Sequence, residues 1–353
     1  MNKLLTVAVL AASIASVFPV SAQTELMSGD VKRELFAQSA DSIKYALIIT
    51  GPTVGEENER KFRQLSLSLH DVLGRDYGYG SDNIELLYDE VSALADERVD
   101  GEATREGLEE AVKRLAERSK NGDQLAVFLL GHGTGVDDEA KFNIRGPDIT
   151  GSDFARLFDA FIEQDLIFIN TTSASFGFAT ALAREVSGEG RIVVSATRSS
   201  AEKFDPQFSR YFIEGLSERR ADRDKNSRVS LLEAFNYAKN NVDEFYDDQG
   251  RLASEHAGLD DNGDALFALE PAPGETDGTL AEIAFIDADS RDEERLSPAR
   301  LALKRRMQAL EREVLLLRGR KAELLEDDYW SQFEVLLIDL ARTTEEFNAN
   351  ANP

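Results

Sequence analysis

The sequence predicts an α/β fold, a three-layer sandwich built on a mostly parallel sheet, with a helical hairpin at its C-terminal end. Two observations carry that expectation. Five short apolar runs alternate with helical stretches, and the tail repeats apolar residues at intervals of three and four. Runs that are apolar at every position suit strands covered on both faces, which is the normal state of a parallel sheet.

The elements follow in chain order. Residues 1–22 read as an export signal: Lys3 supplies the positive start, residues 4–20 the apolar stretch, and Val20-Ser21-Ala22 the small-residue cleavage site. An uncleaved anchor helix is the alternative, and Ser13, Ser16 and Pro19 weaken it as a spanning segment. The expected location is therefore periplasmic or secreted. Residues 45–50 (YALIIT), 84–88 (IELLY), 125–130 (LAVFLL), 166–169 and 192–196 are the five expected strands. Between them, residues 57–73, 105–119, 153–161 and 176–185 read as helices; in the second of these, Leu108, Val112 and Leu115 share one face. The α/β domain is expected to span residues 23–268. Residues 269–296, with Pro271, Pro273, Gly274 and one weak apolar run, read mainly as a linker. In residues 297–353, Leu303, Met307, Leu310, Val314 and Leu317 mark one helix, and Phe333, Leu336, Leu337 and Leu340 mark a second after an acidic break at 326–328. This tail reads as a hairpin or coiled coil, open either to docking on the acidic body or to pairing with a partner, including another copy of the chain.

Composition narrows the function. The 353 residues carry 40 Lys and Arg against 66 Asp and Glu, a net charge of −26. That sign argues against nucleic acid and, once the signal is cleaved, against a membrane surface as partner. There is no cysteine, which removes disulfides, thiolate metal sites and any catalytic thiol.

The third run leads straight into Gly131-His132-Gly133-Thr134, a placement that sets an imidazole at the carboxyl edge of the sheet, where parallel sheets hold their sites. His70 lies in a helical stretch and His256 beside Glu255 in a late loop, so both read as structural. The fourth run leads into Asn170-Thr171-Thr172-Ser173-Ala174-Ser175-Phe176-Gly177, and the fifth into Thr197-Arg198-Ser199-Ser200. Over about residues 45–216 this order resembles the caspase and legumain-like cysteine peptidases, in which an apolar strand and His-Gly precede a second strand followed by Ala-Cys-x-Ser-Gly. The resemblance implies a caspase-like sandwich and a degenerate dyad, with His132 and Gly133 on one side and Ser173 where the family has its nucleophilic cysteine. Phe176 replaces the following glycine. A serine hydroxyl is far less acidic than a thiol and needs a tightly oriented base and an oxyanion hole. Asp137, Asp138 and Asp148 are near enough in the chain to orient His132, and Ser173 and Ser175 can also be read as caps of the next helix.

Residues 222–233 resemble an EF-hand loop: Asp222, Asp224, Asn226, Ser230 and Glu233 stand at the first, third, fifth, ninth and twelfth positions, and the carbonyl of Arg228 at the seventh. Ser227 replaces the usual glycine. The other reading is a polar turn in which Ser230 and Glu233 form a capping box. Any calcium held here would be structural. The acidic turn at residues 260–264 lacks the twelfth-position glutamate and reads as a solvated Asn-Gly turn.

The expected function is that of an exported pseudopeptidase that binds a peptide or protein, with Asn170, Thr172 and Arg198 beside the dyad as candidate binding residues. An active serine peptidase using Ser173 and His132, and a calcium-stabilised assembly scaffold, are the alternatives.

Overall fold

The computed structural model describes residues 33–37, 42–52, 55–89, 96–136, 139–288 and 296–350. The chain divides into two units, Met1–Arg33 and Glu34–Pro353. The export signal and its cleavage site, Asp137 and Asp138 lie outside the described residues.

Seven strands form the main sheet: β1 (Lys44–Thr50), β2 (Ile84–Tyr88), β3 (Gly101–Glu102), β4 (Gln124–Leu130), β8 (Asp165–Asn170), β9 (Arg191–Ser195) and β10 (Gly258–Asp260). Their spatial order is β10-β9-β8-β4-β1-β2-β3, and every neighbouring pair is parallel except β10 with β9. A small antiparallel sheet, β5 (Gly133–Thr134), β6 (Lys141–Phe142) and β7 (Ile149–Thr150), stands beyond the end of β4.

Alternation along the strands divides the core. Ala46, Ile48, Phe128, Ile167 and Val194 face helices α1 (Glu56–Tyr77), α5 (Phe208–Leu216) and α6 (Leu231–Asp248). Leu47, Ile49, Val127, Leu129, Phe168 and Val193 face α2 (Arg105–Arg118), α3 (Gly151–Phe158) and α4 (Ser175–Glu185). This is the expected three-layer α/β sandwich, and the two-sided burial explains why the strands are apolar at nearly every position.

The five apolar runs become β1, β2, β4, β8 and β9, and the expected helices form with ends shifted by a few residues. The strands that pattern reading leaves out, β3, β10 and the small sheet, have two or three residues each, too short to show a period.

Residues 269–288, part of the segment read as a linker, carry the short helix α7 (Thr279–Ile283) and bury Ala281, Ile283, Phe285 and Ile286. Backbone bonds from Leu231 N to Ala284 O and from Ile286 N to Val229 O, and the Lys44 ammonium donating to Phe285 O, stitch this stretch to the domain. The tail forms the expected hairpin of α8 (Pro298–Gly319) and α9 (Glu326–Ala349). Glu326, Asp327 and Asp328 do not break it. They fill the first turn of α9, where negative side chains suit the exposed N–H groups and the helix dipole. Among the described residues, no helix is long and apolar enough to cross a membrane.

Candidate functional site

Strands β4 and β8 are parallel neighbours with Leu129 opposite Asn170, so the loops that leave their carboxyl ends meet. Gly131 turns out of β4 at φ +129°, a conformation that side-chain-bearing residues rarely adopt. Gly133 is needed for another reason: a Cβ there would lie 2.2 Å from the Ser173 carbonyl oxygen and 2.8 Å from Thr172 Oγ1. The two loops are in backbone contact at the residue after His132.

The structure therefore brings His132 and Ser173 to one strand end, but it does not join them as nucleophile and base. Ser173 Oγ accepts from Gly133 N at 3.3 Å and donates to Gly133 O at 3.2 Å, and it makes no hydrogen bond to the His132 ring. Ser173 is only 4% exposed. Ala174 follows in the left-handed region at φ 50°, a strained setting for a residue with a Cβ, and its N–H donates to the Glu202 carbonyl.

The histidine has a partner that chain proximity did not suggest. Asp205, in the loop between β9 and α5, lies with Oδ1 2.8 Å from His132 Nδ1. This hydrogen bond holds the Asp205 carboxyl below its ordinary range, against the upward effect of its burial. The imidazole also meets the Phe62 ring edge to face at 5.5 Å. Of the acids expected to orient it, Asp148 instead accepts from Ile144 N within its own turn. The signal that could have found Asp205 is topological: it follows β9, which adjoins β8, at the same edge of the sheet.

The candidate binding residues separate. Asn170 and Thr172 are buried, Asn170 Oδ1 accepts from Thr172 N and Oγ1, and Asn170 Nδ2 has no hydrogen-bond partner among the described residues. Arg198 is exposed, its Nε 3.4 Å from Glu202. Glu202 is a clamp: its carboxylate takes Arg198 N, His256 N and His256 Nδ1, while its own carbonyl holds Ala174. His256 thus supports the loop carrying Arg198, and His70 sits within α1 at 3.6 Å from Asp71. Around the site Phe204 is 72% exposed and Val136 is also exposed.

Neither Ser173 nor Ser175 caps α4. Ala174 is the N-cap without a side-chain bond, and Thr197 Oγ1 satisfies Phe176 N. Ser175 Oγ is held sideways by Ser195 and Thr197, because the tight approach of β9 puts their hydroxyls closer than the helix end.

The EF-hand-like loop brings oxygens of Asp222, Asp224 and Glu233 within 4.8 Å of one another. Asp222 Oδ1 is buried with no hydrogen-bond partner among the described residues. Ser227 adopts φ 67°, the conformation that a glycine usually supplies at this position. Burial raises the carboxyls of Asp224 and Glu233. The three carboxylates are close enough to share a hard divalent cation, with Asp222 Oδ1 the unengaged oxygen, while both Glu233 oxygens already accept, Oε1 from Arg223 N and Asp224 N and Oε2 from Ser230. The other expected ligands are committed elsewhere: Asn226 bonds Asp224 and Arg228 N, and Ser230 forms the capping box with Glu233 at the start of α6. The Arg228 side chain leaves the loop and lies over the Phe285 ring at 3.6 Å.

Comparison with known proteins adds little sequence information. No family model matches the chain, and no curated protein matches it. Among solved structures, the Drosophila initiator caspase Dronc aligns over 72% of this chain and 93% of its own, at 10% identity and a TM-score of 0.36.

In the turn at residues 260–264 the Asn262-Gly263 pair and Asp264 are exposed, as expected of a solvated turn, but the two acids before them are not. Asp260 is buried and accepts from the backbone N–H groups of Asn262, Gly263 and Ala265. Next to it Asp261 accepts from Gly278 N and Ala281 N, and Asp277 accepts from Asp261 N. These carboxylates organise the backbone because the loop folds back onto α7, which sequence pattern alone does not reveal.

Proposed function

We propose that the protein is an exported, caspase-like pseudopeptidase that holds a peptide or protein segment at the His132 strand end without cutting it. The observation that carries this reading is the state of Ser173. Its hydroxyl is buried between the N–H and C=O of Gly133 and, among the described residues, has no base within hydrogen-bond reach. Activating a serine requires that base, and stabilising the resulting oxyanion requires free donors. Gly133 N already donates to Ser173 Oγ, and Ala174 N to Glu202 O. The His132–Asp205 pair fixes the imidazole with Nδ1 engaged, leaving Nε2 to meet a ligand. Exposed Phe204, Val136 and Arg198 supply apolar and cationic contacts around it. Export rests on the composition of residues 1–22.

Incubation of the purified protein with a peptide library, read by mass spectrometry, is expected to leave every peptide intact. Hydrolysis that is lost in both Ser173→Ala and His132→Ala would overturn this reading in favour of a serine peptidase.

Calcium is the second part of the proposal, supported by the three clustered carboxylates and the orphaned Asp222 oxygen. Weak binding of the extracellular kind, with Kd about 10⁻⁴ to 10⁻³ M, stabilises the folded state by roughly 1.4–2.7 kcal/mol at ~10 mM calcium. The Tm is expected to rise by several degrees with calcium in the wild type and not in Asp222→Asn. An equal rise in both proteins would place any bound ion elsewhere.

A further inference from the structure

Between helix α8 and the domain body lies a cleft of about 190 Å³, room for roughly six water volumes. Ile283 and Phe285 line it from the body, and Gln308 and Ala309 from α8. Arg228 lines it too, although this residue is only 8% exposed. Its guanidinium lies over the Phe285 ring at 3.6 Å, and the Phe285 carbonyl is itself fixed by the Lys44 ammonium and the Gln124 amide. A buried guanidinium normally gives its N–H groups to acceptors. Here Nη1 stands 3.9 Å from Glu311 of α8, an open ion pair, while Nε and Nη2 are buried with no hydrogen-bond partner among the described residues. Those two nitrogens form one edge of the group, whose parallel N–H bonds match the two oxygens of a carboxylate. The neighbouring Arg312 is different. It already holds Glu34 and the carbonyls of Leu35 and Phe36.

We propose that this cleft binds a small organic carboxylate with an apolar body, its two oxygens forked on Arg228 Nε and Nη2. The unpaired edge selects a planar anion that accepts two parallel bonds. Charge sets the valence: Arg228, Arg305 and Arg312 stand against Glu34 and Glu311, so a single negative charge balances the site. The apolar body follows from Ile283, Phe285 and Ala309, which offer carbon and no donors to the rest of a ligand. Because Nε and Nη2 are closed to water as well as unpartnered, an acceptor that reaches them replaces no existing hydrogen bond. The wall must open to admit it, and Arg305, exposed on α8, is the lining side chain able to turn aside. Stacking on Phe285 holds the guanidinium in place beforehand, which lowers the ordering cost of binding. The site lies on other elements than those carrying His132, and calcium in the 222–233 loop would use only the Arg228 carbonyl. It therefore stands apart from both readings above.

Isothermal titration calorimetry of the full chain at neutral pH with benzoate, benzamide and inorganic phosphate tests it. Benzoate is expected to bind at a single site, about tenfold or more tighter than the other two. Benzamide keeps the shape without the charge, and phosphate the charge without the apolar body. Arg228→Lys, which keeps the charge and loses the fork, is expected to weaken benzoate about tenfold. Ala309→Trp, at an exposed position of α8, is expected to fill the cleft and abolish binding with an unchanged circular dichroism spectrum. Benzoate that fails to bind the wild type overturns the proposal, and so does benzoate that binds either variant as tightly as the wild type. Benzamide or phosphate binding as tightly as benzoate overturns it too.

Discussion

Gly133→Ala is expected to destabilise the protein by about 3 kcal/mol, at the upper end of the usual cost of overpacking. The added methyl would stand 2.2 Å from the Ser173 carbonyl and 2.8 Å from Thr172 Oγ1. No rotamer change relieves a contact with backbone, so the loops after β4 and β8 must separate. That movement breaks both bonds between Ser173 Oγ and Gly133 and draws on Ala174, already in the left-handed region. Gly74→Ala is the matching control. It lies inside α1, where an added Cβ meets only the Tyr79 carbonyl at 3.9 Å. There the helix preference of alanine is expected to stabilise by about 0.5–1 kcal/mol. Thermal unfolding followed by circular dichroism separates the two. A Tm for Gly133→Ala within a degree of the wild type would mean that the loops are not held in contact.

Asp277→Asn is expected to stabilise the protein at neutral pH. Asp277 is 1% exposed, its Oδ2 has no hydrogen-bond partner among the described residues, and Asp261, Asp260 and Asp264 stand near it. Burial first, and then these like charges, push its carboxyl up to about 6 from 3.8. A raised carboxyl keeps its proton in the folded state where the unfolded chain loses it. Its favourable contribution is therefore complete below the ordinary carboxylate range and is lost as pH rises through about 6. A shift of this size corresponds to at most ~3 kcal/mol, trimmed by solvent around the exposed side of the loop to about 1–3 kcal/mol. Asparagine carries no charge to penalise, keeps an oxygen for Asp261 N, and offers an N–H to a neighbouring carboxylate. The Tm gain over wild type is expected at pH 7 and to shrink towards pH 4. A gain of the same size at both values would assign the effect to packing rather than to the proton. Glu282, pushed up to about 7 by burial beside Arg318, adds to the same trend, so the wild type is expected to be more stable in mild acid than at neutrality.

What pattern reading could and could not recover follows from how local each cause is. The central strands were legible because both faces are buried, which forces apolar residues at nearly every position from Lys44 to Thr50 and from Gln124 to Leu130. The placement of His132 was legible because a strand end followed by glycine is a local feature. Asp205 was not, since it reaches His132 only through the adjacency of β8 and β9 and the turn that follows. Asn170 and Thr172 look in sequence like polar residues available to a ligand. Burial turns them inward, where Asn170 Oδ1 accepts from Thr172 while Asn170 Nδ2 has no hydrogen-bond partner among the described residues. The segment at residues 269–288 has few apolar residues and reads as a connection, yet those few, Ile283, Phe285 and Ile286, fill the space beside Val229 and α6.

The sequence by itself determined the layered α/β class, the order of its main strands along the chain, the absence of a thiol and the hairpin tail. All of these are written in residue type and spacing, because each element must bury its own apolar face wherever it packs. Only the tertiary structure decided that Ser173 bonds to Gly133 instead of His132, that Asp205 holds the imidazole, and which faces of α8 and α9 remain uncovered. Those facts depend on distances of a few ångströms between segments far apart in the chain, and no local pattern specifies them.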